Sequence, residues 1–105
     1  MAWYAYLAYF FAGLFLANGV PHFVHGISGK RFPSPFASPQ GRGESPPLVN
    51  VLWGLANFLI GYTLVFKIGD FTLGFTRDFL MVVLGALVIS VILSLNFARR
   101  ATPNS

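Results

Sequence analysis

The sequence predicts an all-α membrane protein of three transmembrane helices, with the N-terminus outside and the C-terminus cytoplasmic. Three observations carry that expectation. Of the 105 residues, 55% are hydrophobic and only 10% are charged, where a soluble domain carries roughly 25% charged residues. Three stretches, 3–25, 48–66 and 79–97, contain no Asp, Glu, Lys or Arg, and a helix needs about 20 apolar residues to cross a bilayer. The charge that remains collects between and after those stretches. The same composition excludes disorder, which requires low hydrophobicity and high charge. With no cysteine, disulfide scaffolds, thiol catalysis and thiolate metal sites are excluded as well. The apolar stretches have helix length and do not alternate as barrel strands do. Residues 1–105 read as a single polytopic membrane domain.

The first span lacks the basic leader of a cleavable signal peptide. Trp3, Tyr4, Tyr6 and Tyr9 cluster where an aromatic belt meets the membrane interface. With three spans, the connector 26–47 and the tail share a side, which holds Lys30, Arg31, Arg42, Arg99 and Arg100. The opposite side holds Lys67 and Arg77, and this five-to-two bias places the connector and tail in the cytoplasm. The net charge of +4 then reflects orientation and contact with the lipid bilayer. Nucleic acid is not an expected partner, because no stretch interleaves basic and stacking residues as a binding groove requires.

Within the first span lies Asn18-Gly19-Val20-Pro21-His22-Phe23-Val24-His25. Proline removes a helical hydrogen bond and clashes with the carbonyl four residues back. The first helix is therefore expected to be kinked or broken near Pro21. Asn18, His22 and His25 stand at i, i+4 and i+7, one face of an unbroken helix. Such a face suits a metal or haem ligand, a proton relay, or a contact for a quinone or lipid head group. The plainer alternative puts both histidines at the cytoplasmic interface, bonded to water, phosphates or carbonyls. No cofactor is predicted. A zinc site wants three or four ligands, and Glu44, Asp70 and Asp78 all lie off this helix. Haem or metal through His22 and His25 would need an opposing ligand from a second subunit.

In the second span, Ser45 is placed to cap the helix, with Pro46 at its first position. Asn50, Gly54, Asn57 and Gly61 follow a 4-3-4 spacing on one face, with Trp53 alongside. Ala5, Ala8, Ala12 and Gly19 form a matching small-residue stripe on the first span. In lipid such stripes let backbones approach and asparagines bond across helices, within the chain or between copies. The alternative is a polar track along Asn18, Asn50 and Asn57. In the third span, Thr76 caps the start, Asp78 lies in the first turn, and Arg99 and Arg100 close the negative end. Gly85 and Ala86 offer one packing face, and Ser90 and Ser94 can bond preceding carbonyls.

The connector 26–47 carries Pro33, Pro35, Pro39, Pro46 and Pro47 and is expected to be extended or turned. Phe32 and Phe36 beside Lys30 and Arg31 suit the head-group region, as do Arg99 and Arg100 on the same side. So long a connection between two helices points to a functional or partner-binding role. Gly29-Lys30 lacks the earlier glycine and the following Ser or Thr of a phosphate loop. The second connector's Lys67, Asp70, Arg77 and Asp78 sum to zero, and no catalytic constellation forms.

The run from Asn18 to Phe23, then Gly26, Gly29 and Phe32-Pro33-Ser34-Pro35-Phe36, resembles a family of small uncharacterised bacterial integral membrane proteins. Val49-Asn50-Val51-Leu52-Trp53-Gly54 with Asn57 and Gly61 extends the likeness. The resemblance implies a bacterial cytoplasmic membrane and no established activity. A fainter likeness to the DoxX-like group rests on the glycine-rich first span, although that group has four spans.

The leading expectation is a non-enzymatic membrane protein acting by helix–helix association, as a homo-oligomer or an accessory subunit of a membrane complex. The alternative is a small oligomeric transporter or channel with a polar site at Asn18, His22, Asn50 and Asn57. A second alternative is a haem or metal protein ligated by His22 and His25.

Overall fold

A computed structural model describes residues 3–39 and 43–101, with side chains through Ala98. Arg42 lies outside the described residues, as do the side chains of Arg99 and Arg100. The chain forms α1 (Trp3–Ile27), α2 (Pro47–Phe66) and α3 (Arg77–Ala101). All three helices are long and apolar enough to cross a membrane. The molecule extends 48 Å along its longest axis, more than the roughly 30 Å of a hydrocarbon core.

Local chemistry explains the helix ends. α1 runs from Trp3 to Ile27 as one helix with Pro21 inside it, so it does not break there. It stops at Gly29, whose φ of +74° reverses the chain. The Gly29 amide donates to the Gly26 carbonyl at 3.1 Å and the Lys30 amide to the His25 carbonyl at 2.8 Å. That pair of bonds is a Schellman closure, which favours glycine because a side chain there would clash. α2 starts one residue later than the Ser45 cap implies. Pro46 is the N-cap, Pro47 the first helical residue, and no side chain caps the end. Ser45 pairs instead with Phe32 in an antiparallel bridge. At α3, Thr76 Oγ1 accepts from the Phe79 amide at 3.2 Å, a side-chain cap. Asp78 is buried and accepts from the Thr72 amide at 2.9 Å, which folds the second connector onto the helix start.

α1 is the central helix. It packs against α2 on one side and α3 on another, while no Cα of α2 comes within 8 Å of a Cα of α3 among the described residues. Small residues set both contacts. A Cβ at Gly54 would stand 2.8 Å from the Phe23 amide nitrogen, and one at Gly19 2.9 Å from the Gly54 carbonyl oxygen. Further along, a Cβ at Gly61 would stand 3.1 Å from the Ala12 carbonyl oxygen. On the other side, a Cβ at Gly13 would strike the Val82 backbone, and one at Gly85 the Phe10 carbonyl. Ala5, Ala8 and Ala12 are buried along the α1 seam. The small-residue stripes are therefore occupied inside the chain.

Two interfacial expectations change. Tyr9 has no exposed surface: its ring sits edge-on to Phe71 at 5.2 Å, and its hydroxyl abuts Gly69. Trp3 and Tyr4 remain exposed. Phe32 is also buried, its ring stacked on His25 at 4.2 Å and against Phe97 at 4.9 Å. Rotation of α1 about its axis decides the first, and the Phe32–Ser45 bridge decides the second. Phe36, Lys30 and Arg31 are exposed, and Arg31 Nη2 donates to the Glu44 carbonyl at 3.3 Å.

Candidate functional site

Because α2 and α3 stand apart on α1, a cleft opens between them. Asn18 and His22 of α1, Trp53 of α2, and Leu93 and Phe97 of α3 line it. The connector closes one end with Phe32, Pro33, Ser34 and Pro35, giving a cavity of about 540 Å³. Cavities of this size, largely apolar with a few placed polar groups, are ordinary small-molecule sites.

Two hydrogen-bonded layers hold the polar floor. In the first, the Asn50 side-chain nitrogen donates to the carbonyls of Phe32 and Ser45 at 3.0 Å each and of Pro46 at 3.3 Å. Carbonyls only accept, so the amide orientation is set and Oδ1 faces His22. His22 Nδ1 lies 2.8 Å from that oxygen and must therefore donate to it. In the neutral ring Nε2 then carries the lone pair. In the second layer, Asn57 donates to the Trp53 carbonyl at 2.8 Å, and its oxygen accepts from Asn18 Nδ2 at 3.0 Å. Asn50 and Asn57 have no exposed surface. Such satisfied amides tie helices together at membrane depth.

The four polar residues of the transporter expectation thus separate. Asn18 and His22 reach the cleft, whereas Asn50 and Asn57 sit behind them as supports. His25 does not join them. Its Nδ1 donates to the Pro21 carbonyl at 2.8 Å, and its ring stacks on Phe32. Phe32 also meets the His22 ring edge-on at 5.2 Å, so one phenyl contacts both imidazoles. No group of three or more His, Asp or Glu that could hold a metal comes together among the described residues.

Trp53 belongs to the cleft wall as well as to the α2 packing face. Its ring lies 6.5 Å from His22 and 5.2 Å from the exposed Phe36, edge-on in both cases. Trp53 Nε1 is buried without a hydrogen-bond partner. Sequence reasoning missed the lining from Leu93 and Phe97 because α3 carries no polar mark at either position. It also missed Gly13, which meets Val82 and Ala86, although Gly85, which meets Phe10 and Leu14 at the same crossing, was a signal of where α3 would dock.

No family model, no curated protein and no solved structure matches this chain.

Proposed function

We propose that this chain is a multi-pass protein of the bacterial cytoplasmic membrane that binds the polar end of a membrane-partitioned small molecule between α2 and α3. The observation that carries the reading is the cleft itself: His22 and Asn18 form a polar floor between walls that do not meet. An amphiphile can enter from the bilayer with its tail left among lipid chains. The surplus of basic residues on the connector and tail supports an outside N-terminus, with the cleft's closed end toward the cytoplasm. Pro21 lies inside α1 one residue before His22, where a missing helical bond favours a local bend at the cleft.

A second reading, association with itself or with a larger membrane complex, rests on α3. Only 11% of its most apolar stretch is buried, and Leu80, Leu84, Leu87, Val91 and Leu95 face outward. That face is available to a partner helix as well as to lipid.

One experiment addresses both. Native mass spectrometry after gentle extraction is expected to find the chain carrying a small non-protein mass, lost in Leu93→Trp, which fills the cleft. A bare chain, or a small mass that survives Leu93→Trp, counts against the cleft. A stoichiometric protein partner supports the second reading.

A further inference from the structure

We infer that the head group this cleft selects is a hydroxylated aromatic ring, a lipophilic phenol whose oxygen bridges His22 and Trp53. The inference rests on the cleft being a small-molecule site and specifies what it takes.

Two ring nitrogens at the cleft hold unused hydrogen-bonding capacity. His22 Nδ1 is committed to Asn50 as a donor, because Asn50 must turn its nitrogen to three carbonyls. Its Nε2 has no hydrogen-bond partner among the described residues. Among the described residues, the fully buried side-chain polar atoms left unpaired are Tyr9 Oη and Trp53 Nε1, so His22 Nε2 keeps an opening, and the cleft is what His22 lines. An imidazole nitrogen with its opposite N–H anchored is an acceptor held in place, and it asks for a donor.

Trp53 supplies the complementary half. An indole N–H is only a donor, and a buried unpaired donor is costly and uncommon in native structures. Its ring faces His22 edge-on at 6.5 Å between centroids, where the α2 wall meets the floor. A hydroxyl satisfies both demands, donating its hydrogen to Nε2 and accepting from the indole. A carbonyl or an ether oxygen can serve only the indole, and an ammonium only the imidazole. Seating the ligand requires the Trp53 ring to turn its N–H toward the cleft. One of the rings the indole packs against, Phe36, is 64% exposed and free of the buried core.

The walls argue for an aromatic carrier of that hydroxyl. Phe32, Trp53 and Phe97 surround the polar floor together with the His22 ring. Phe32 meets Phe97 tilted at 4.9 Å and His22 edge-on at 5.2 Å, a set of ring faces and edges that receives another ring. Leu93 is the sole aliphatic side chain of α3 in the lining, and it offers an alkyl tail an apolar surface beside the rings.

Trp3 and Trp53 are the only tryptophans, so Trp3→Phe leaves one indole N–H to observe. The test follows its nitrogen–hydrogen NMR signal in lipid nanodiscs while 4-octylphenol, 4-octylanisole or 1-decanol is added. The expected result is a saturable downfield proton shift with the phenol, and little shift with the anisole, which has the same ring and tail without the donor hydrogen. His22→Phe should erase the difference between the two. A ligand-observed titration of Trp53→Phe, which keeps a ring in the wall, should show about tenfold weaker phenol binding, as loss of one buried hydrogen bond implies. Equal saturable shifts from phenol and anisole would overturn the hydroxyl bridge and leave the cleft a less selective amphiphile site. A decanol response equal to the phenol's would keep the hydroxyl and remove the aromatic preference. No saturable response to any of the three would overturn the inference and the binding reading together.

Discussion

Asn50 illustrates how much one side chain can organise when both ends of its amide are used. Its nitrogen holds the Phe32 and Ser45 carbonyls of the connector, and its oxygen holds His22. Removing it strands the buried His22 Nδ1–H, while the Phe32, Ser45 and Pro46 carbonyls keep backbone amide donors but lose their tie to the α2 side chain. Leaving a buried polar group unpaired costs roughly 1–3 kcal/mol. Asn50→Ala is therefore expected to lower stability by about 2 kcal/mol and to free the connector. Thermal unfolding in detergent and the rate of tryptic cleavage after Lys30 and Arg31 check both parts. An unchanged cleavage rate would mean that the Phe32–Ser45 bridge holds without the amide. The asparagine was visible in the sequence as a polar residue on a small-residue face. Its partners were not, because contacts 28 and 18 residues away depend on where the connector folds.

At the scale of the elements, glycine placement decides which helices meet. Gly54 and Gly61 bring α2 onto α1, and Gly13 and Gly85 bring α3 onto it. Each contact is a backbone approach that a larger side chain would prevent. Gly85→Leu is expected to detach α3 from α1 while leaving the α1–α2 seam intact. The absence of native cysteine makes this measurable: a cysteine pair introduced across α1 and α3 should cross-link in the parent and fail in the variant. A pair across α1 and α2 should cross-link in both, and its loss would mean that the bundle forms as one unit. The residues of the 4-3-4 spacing, Asn50, Gly54, Asn57 and Gly61, lie buried on the α1 side of α2. Whether that contact joined two helices of one chain or two copies was outside the reach of the spacing, since the same stripe serves either purpose.

For the whole molecule, the placement of charge and the arrangement of helices are separate matters. The basic bias concerns which side the connectors occupy. Substituted-cysteine labelling in intact cells tests it, with Asp70→Cys expected to react with an impermeant maleimide from outside and Glu44→Cys only after permeabilisation. The reverse pattern would invert the topology and place the cleft's closed end outside. The cleft exists because α1 is central and its neighbours sit apart. Nothing in the order of the three helices requires that, since a three-helix chain can equally close into a bundle with every pair in contact.

The sequence by itself determined the class and the number of helices, because apolar length and the exclusion of charge are demands of the bilayer, met residue by residue. It also marked the packing residues, since small and polar side chains stand out against a lipid-facing background. Only the tertiary structure decided which way each apolar residue faces. Tyr9 turned inward where an interface anchor was expected, and Phe32 became a contact of both histidines. It also decided that Asn50 and Asn57 would be supports, and that Trp53, Leu93 and Phe97 would wall a cleft. The physical reason is that lipid and protein interior are similarly apolar, so a Leu or Phe pattern does not separate inside from outside as it does in water.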